Sequence, residues 1–455
     1  MGRRTIGAVK VLRTIQRLPI ESVDLEGQGV AHHEGRVVFV AGALAGEVVD
    51  VEVLRERPRY LKARAARWHR ESADRVQPRC DYFGVCGGCS MQHASAAAQI
   101  AIKQRSLEDA LWHIGRLRPQ EMLSPLRGPS WGYRARARLS VRWVDKKGGL
   151  LVGFHERGSS FVAKMDSCEV LHPRAAAMLP RLKELIASLT IAREVAQAEL
   201  AVGDASLVWV LRNLSPLGPG DHERLSRFER EEDVQIWLQP GGPSTAEPLN
   251  STPEGKTLWY ALPDFGLTMP FSPVDFTQVN FAVNRSLVSL AIRLLDVRPE
   301  HRVADFFCGL GNFTLALASR ARQVVGVEGS QALTDQAMRN AQSQGLSHAL
   351  QFSCVNLFEV GLDWLLEQGA FDRALIDPPR EGAQALCEAL AALSRLGRGP
   401  HRLVMVSCNP ATLARDAAIL AHQGAWVLRQ AGVVNMFAQT AHVESIAVFE
   451  RTQPT

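Results

Sequence analysis

From residue 276 to the end of the chain, short apolar runs alternate with stretches long enough for helices, and no other feature restricts the fold as much. The runs RVADFFC, QVVGVEG, LQFSCVN, FDRALIDPP and RLVMVSCNP read as buried strands. Helices between such strands require crossover connections and therefore a parallel sheet. WVLRQAGVVNMF and VESIAVFER add two final strands. The expectation is a doubly wound sheet of about seven strands, with any ligand at the carboxyl ends of the strands.

Three groups are placed by this pattern at that edge. In VADFFCGLGNFTLALA a strand closes at Asp305 and a GLG turn leads into a helix, so that backbone can approach a ligand closely. Thr314 stands where a dinucleotide fingerprint has its third glycine, which counts against a bound pyrophosphate. The next strand ends in Glu328, at the distance that suits a ribose diol. S-adenosyl-L-methionine fits this combination better than NAD. Asp377 ends the fourth strand, and Pro378 and Pro379 fix an extended exit from it; a helix N-cap is the alternative role for that carboxylate. Cys408 ends the following strand. Asn409 suits an N-cap and Pro410 the first helical position, so the thiol is expected just before a helix N-terminus, which favours thiolate. The plain alternative is one more buried core thiol.

A thiol beside a methyl donor has one natural use. Carbon 5 of uracil is a poor nucleophile, but a thiolate adding at carbon 6 turns the ring into an enolate whose carbon 5 can take a methyl group. A base must then remove the carbon 5 proton, and Glu444, in QTAHVES, is the candidate, against the alternative of an exposed hairpin glutamate.

The 455 residues of the chain imply about two to four domains. An apolar fraction of 46 % and a charged fraction of 22 % are those of a globular protein, and no run is apolar enough to span a bilayer. The N-terminal MGRRTIGAVKVLRTIQRL is basic but has no secretory h-region, so a cytoplasmic protein is expected. Residues 11 to 70 alternate β-rich runs with glycine turns and read as a small barrel of OB-like size, rimmed by Arg55, Arg57, Arg59, Lys62, Arg64 and Arg67. In YRARARLSVRW strict alternation puts Arg134, Arg136, Arg138 and Arg142 on one strand face, where an RNA backbone would relieve their mutual repulsion; a solvated face is the alternative. The middle of the chain, to about residue 265, reads as α+β. The net charge of +5 does not by itself demand a nucleic-acid partner. Of eight cysteines, Cys80, Cys86 and Cys89 cluster in CDYFGVCGGC, a metal-like spacing. With Cys168 as a fourth thiolate, an iron–sulfur cluster and zinc are both open, and His93 or His172 could complete a zinc site.

The strings DFFCGLGNF, VVGVEG, DPPR, VSCNPATLARD and MFAQTAHVES resemble the RNA uracil-C5 methyltransferase family through nearly the whole chain. CDYFGVCGGCSMQHAS is similar to the iron–sulfur motif of its ribosomal branch, and the N-terminal barrel resembles a TRAM domain. The resemblance implies three parts: a TRAM-like RNA-binding barrel (1–70), a central α+β domain with an iron–sulfur site (71–265), and a class I, Rossmann-like, S-adenosylmethionine-dependent catalytic domain (266–455). It implies methylation of a specific uracil of 23S rRNA, with no membrane and no obligatory protein partner. It makes Cys408 the nucleophile and Glu444 the base. Gln278, Phe307, Asn312, Glu328, Asn356 and Asp377 would contact S-adenosyl-L-methionine, and Cys80, Cys86, Cys89 and Cys168 would hold a 4Fe–4S cluster of structural purpose. The chain departs from the usual pattern at Asn435 and Ala438. Two other readings compete: an RNA-binding or ribosome-assembly factor with an inert catalytic domain, and an NAD-dependent oxidoreductase.

Overall fold

The computed structural model describes residues 11–251 and 257–452; the first ten residues of the basic N-terminal stretch lie outside them. The chain divides into two compact units, one of residues up to Arg105 with 156–159 and 438–442, the other of the remainder.

In the first unit, β1 (Arg13–Pro19), β2 (Ser22–Val23), β3 (Gln28–His33), β4 (Arg36–Ala41), β5 (Val48–Glu56) and β6 (Tyr60–Arg70) form one sheet in the order β1-β5-β6-β4-β3-β2. Three strands separate β1 from β3 in that order, yet the two touch, so the sheet curls round a core that includes Ile15, Leu18, Val38, Val51 and Leu61. The period-two pattern of β5 makes this possible: Val49, Val51 and Val53 point inward while Asp50, Glu52 and Leu54 are half-exposed. Glu47, fully buried, accepts from Arg75 Nε at 2.6 Å, Arg75 Nη2 at 2.7 Å, Leu44 N at 2.9 Å and Trp68 Nε1 at 3.1 Å. Burial pushes this carboxyl up, but the Arg75 and backbone hydrogen bonds outweigh it and hold it below its ordinary value.

The iron–sulfur expectation fails in this unit. Among the described residues no group of three or more His, Cys, Asp or Glu could hold a metal ion. Cys80, Cys86 and Cys89 are half-buried in a run of turns, and Cys168 is buried in the other unit. The segment is held by other bonds: Cys80 N donates to Gln92 Oε1 at 3.1 Å, Cys86 N to Tyr82 O at 2.9 Å, and Gly88 N to Cys86 Sγ at 3.4 Å. His93, named as a possible zinc ligand, is buried against the Phe83 ring at 5.7 Å, and burial pushes it down to about 4. The spacing of CxxxxxCxxC governs how near the peptides come; it does not aim the thiols. The expectation of a central domain built on a 4Fe–4S site therefore falls, and that cofactor falls with it.

The second unit has two main sheets. α1 (Ala96–His113) runs across the unit boundary into β7 (Glu121–Met122). A central sheet of order β13-β12-β11-β10-β8-β9 follows, from β8 (Arg136–Val144), β9 (Gly149–Gly153), β10 (Val195–Val202), β11 (Leu207–Asn213), β12 (Gln235–Leu238) and β13 (Glu247–Pro248). α2 (Pro173–Ser188) and α3 (Asp221–Glu232) lie in its connections, and the hairpin β14 (Trp259–Leu262) and β15 (Leu267–Pro270) leads to α4 (Phe281–Leu295). The expected alternation in YRARARLSVRW holds, with Ala135, Ala137, Leu139 and Val141 buried. On the arginine face Arg138 and Arg142 are exposed, and two of the arginines have partners within the protein. Arg138 pairs with Glu199 at 2.7 Å, and Arg136 is turned inward, its Nη1 donating to Pro273 O at 2.6 Å.

The remaining strands are β16 (Arg302–Phe306), β17 (Gln323–Glu328), β18 (Leu350–Cys354), β19 (Arg373–Ile376), β20 (Arg402–Ser407), β21 (Trp426–Val434) and β22 (Glu444–Arg451). With β7 they form an eight-stranded sheet, β18-β17-β16-β19-β20-β22-β21-β7. The first five run parallel, as the strand–helix alternation requires, and β22 is antiparallel to both neighbours. α5 (Thr314–Ala318), α6 (Gln331–Ser343), α7 (Leu362–Glu367), α8 (Gln384–Arg395) and α9 (Pro410–Gln423) connect the strands. The eighth strand, β7, escapes a sequence reading because it is two residues long and is defined only by its pairing with Gln430 and Ala431.

Candidate active site

The parallel register brings the expected groups to one edge. Phe306 pairs with Val327 on one side and Ile376 on the other, and Ile376 pairs with Met405. Phe307, Glu328, Asp377 and Cys408 thus leave their strands at the same end of the sheet. Ser407 pairs with Ser445 across the antiparallel β20–β22 ladder. One step further on, the same register sets Cys408 opposite Glu444. Glu444 is 2 % exposed, which removes the exposed-hairpin alternative.

Cys408 stands where the local sequence puts it. Asn409 is the N-cap of α9, its side chain accepting from Ala411 N at 3.0 Å, and Pro410 opens the helix. Asn409 Nδ2 and Thr412 Oγ1 both donate to Arg380 O at 3.2 Å, which fastens the DPPR loop to the cysteine loop. Asp377 is not a helix cap, because α8 begins at Gln384 after Ala383. The expected thiolate is not what this setting favours. Burial, then the carboxyls of Glu444 and Asp377, push Cys408 up to about 11, against a smaller pull from Arg380. Burial likewise raises Asp377 to about 7, and burial followed by the charge of Asp377 holds Glu444 well above the ordinary carboxylate range. In the free protein the thiol is protonated and its carboxyl neighbours are biased toward their neutral forms.

The glycine turn makes a cradle on the other side. Gly309 has φ +54°, and a Cβ there would meet no atom within 4 Å, so the backbone faces open space. Phe307 has φ +63°, a conformation that L residues rarely hold. Glu328 accepts from Gly309 N at 3.1 Å and Gly329 N at 2.8 Å, which locks its carboxylate at the mouth of the cradle. Asn356 is exposed beside it, and Phe358, 47 % exposed, lies 5.6 Å from the Phe307 ring. Gln278 is half-buried in the loop before α4. Asn312 differs in kind, for its side chain is committed: Oδ1 accepts from Tyr260 Oη at 2.8 Å and Asn284 Nδ2 at 2.9 Å, and Nδ2 donates to Asn284 Oδ1 at 3.0 Å. It acts by holding the turn. A carboxylate on the strand next to exposed aromatic rings and a glycine turn is a donor set that fits an adenosine with its ribose diol.

Sequence reasoning misses two features. Asp305 is fully buried; its Oδ2 accepts from Thr314 Oγ1 at 2.5 Å, while Oδ1 has no hydrogen-bond partner. Burial, with the nearby Asp377 and Glu328, raises it to about 8. The residue that stands in for the third glycine therefore ties the start of α5 to the end of β16. The aromatic Phe358 carries a signal too, an apolar residue two places after Asn356. At the departures from the usual pattern, Asn435 N donates to Leu126 O at 2.9 Å, and Ala438 is fully buried.

The parallel sheet with its strand-end cradle is that of a Rossmann-like S-adenosylmethionine-dependent methyltransferase. The crystal structure of the Pyrococcus abyssi tRNA (uracil-54, C5)-methyltransferase in complex with S-adenosyl-L-homocysteine has the same fold: TM-score 0.70 at 22 % identity, over 95 % of this chain and all of that one. Family models for tRNA (uracil-5-)-methyltransferase and for the TRAM domain match residues 267–452 and 10–66. The 23S rRNA (uracil(1939)-C(5))-methyltransferase RlmD of Bordetella bronchiseptica is 57 % identical over 95 % of this chain and 92 % of its own length. That of Aromatoleum aromaticum is 56 % identical over 95 % and 99 %. The chain belongs to the RlmD-type family of 23S rRNA (uracil-C5)-methyltransferases.

Proposed function

We propose that this protein methylates carbon 5 of uracil 1939 in 23S rRNA, as its relatives are named for doing, with Cys408 as nucleophile and Glu444 as general base. The observation that supports the assignment is the β20–β22 register, whose last pair, Ser407 with Ser445, is one residue short of both Cys408 and Glu444. Glu328 would hold the ribose diol; Phe307, Asn356, Asp377 and Gln278 would line the cofactor, with Asn312 fixing the turn. Bound there, S-adenosyl-L-methionine supplies an electrophilic methyl group. The thiol of Cys408 releases its proton to solvent and the resulting thiolate adds at carbon 6, leaving an enolate whose carbon 5 is nucleophilic. After methyl transfer Glu444 takes the carbon 5 proton, and the carbon–sulfur bond breaks to restore both the ring and the thiolate. Burial favours the neutral form of Glu444 in the free protein, so it acts as base only after releasing its own proton, and its raised pKa then makes the carboxylate the stronger acceptor. No helix among the described residues is long and apolar enough to cross a membrane, and a ribosomal RNA substrate places the work in the cytoplasm. The test is methyl transfer from labelled S-adenosylmethionine to 23S rRNA from a strain lacking the gene, with mass mapping of the product. Label at carbon 5 of uracil 1939 supports the reading; label elsewhere, or none, removes it.

A further inference from the structure

The loop between β15 and α4, residues 271 to 280, carries Gln278; Phe271 at its start belongs to the hydrophobic core and Val279 packs against that core. Phe271 N donates to Leu258 O at 3.0 Å, and three further hydrogen bonds tie the loop to residues 129–136. Ala135 N donates to Val279 O at 2.8 Å, and Asn280 Nδ2 donates to Pro129 O at 3.2 Å. The third is the one from Arg136 Nη1 to Pro273 O, at 2.6 Å. Arg136 comes from the central sheet, where its backbone pairs with Ala201 of β10. A half-buried guanidinium is costly unless charges or acceptors meet it. Glu199 and Asp275 face this one and favour its charge, while Arg138 opposes it. Asp275 is itself a loop residue, its carboxylate accepting from Ser272 N at 2.7 Å. The arginine thus bonds a carbonyl of this loop and lies within electrostatic range of one of its carboxylates.

We infer that Arg136 is a positioning residue for the cofactor site, through which the central sheet fixes the loop that bears Gln278, and that it is not a phosphate contact. The assignment rests on the reading of Gln278 as a cofactor contact. A charge-assisted bond to a carbonyl is among the stronger hydrogen bonds, and small displacements of a positioning group cost binding steeply.

Arg136→Gln and Arg136→Lys separate the roles. Arg136→Gln should weaken S-adenosyl-L-homocysteine binding, measured by titration calorimetry, by about tenfold or more, with faster amide exchange confined to residues 271–279. Arg136→Lys, which keeps a charged donor, should recover part of both. The slope of RNA affinity against salt should stay that of the parent in both variants. A slope flattened by about one unit with cofactor affinity unchanged would make Arg136 a phosphate contact and overturn the inference. So would a lowered melting temperature with the parent's cofactor affinity and loop exchange. If Arg136→Gln does not fold, Arg136→Lys gives the same readouts. Gln278→Ala is the control: if it leaves homocysteine binding unchanged, the contact assigned to Gln278 falls, and loop exchange in the Arg136 variants still decides whether the arginine holds the loop.

Discussion

Replacing Glu444 by glutamine should turn the enzyme into a trap for its own substrate. The side chain is 2 % exposed, and burial already favours its neutral form, so an isosteric neutral amide costs little folding stability. It also removes one of the two carboxyls that push Cys408 up, which makes addition at carbon 6 easier. What is lost is the acceptor for the carbon 5 proton. General-base catalysis of this kind contributes about 10²- to 10⁴-fold, equivalent to about 3 to 5.5 kcal/mol of barrier. The covalent, methylated adduct should therefore accumulate while turnover falls by that factor. A denaturing gel should show a retarded band containing both protein and RNA for Glu444→Gln, and none for the Cys408→Ala, Glu444→Gln double variant. Normal turnover by Glu444→Gln would refute the pairing of thiol and base deduced from the β20–β22 register.

Other outcomes follow from the same geometry. Cys408→Ala should abolish methylation with cofactor binding intact, as read by calorimetry and label transfer. Because Cys408 is raised to about 11, single-turnover adduct formation should rise about tenfold per pH unit from 7 to 9; a flat profile would mean that substrate binding lowers the thiol or that another step limits. Thr314→Val leaves the buried Asp305 carboxyl without its donor and should cost about 1 to 3 kcal/mol in urea unfolding. Arg75→Ala strands the buried Glu47 and should cost about 3 to 5 kcal/mol. Since the folded value of Glu47 is depressed, its contribution is present above its ordinary value of about 4.5 and disappears as pH falls through the folded one. Acid unfolding of Glu47→Gln should be correspondingly less steep.

The parts of this site that depend on local sequence are legible in the chain itself. The Asn409–Pro410 cap, the strand ends at Glu328 and Asp377, and the glycine turn are each written within a few residues, and periodicity supplies the sheet. What is not legible depends on partners distant in the chain. The helix N-terminus alone predicts a thiolate, but the carboxyls that oppose it arrive from β19 and β22. Alternation assigns Arg136 to the face of its strand, and nothing nearby announces the Pro273 carbonyl 137 residues away that turns it inward. The strand β10 contains AQAELA, whose alanine, glutamine and glutamate favour helix; pairing with β8 and β11 overrides that preference. The cysteine spacing misleads for the converse reason, because closeness along the chain does not make side chains converge.

The antiparallel placing of β22 has a consequence for how such an enzyme can change. The last rung of the β20–β22 ladder, Ser407 with Ser445, adjoins both Cys408 and Glu444, so the spacing of the proposed nucleophile and base is tied to main-chain bonds between these strands as well as to the segment that connects β21 to Glu444. The connecting segment is anchored on its own account: Met436 and Ala438 are fully buried, and Gln439 N donates to Gln99 Oε1 at 2.9 Å. A one-residue slip would be fatal: it would turn the Glu444 carboxyl to the opposite face of the sheet. The reaction is under the discipline of a register.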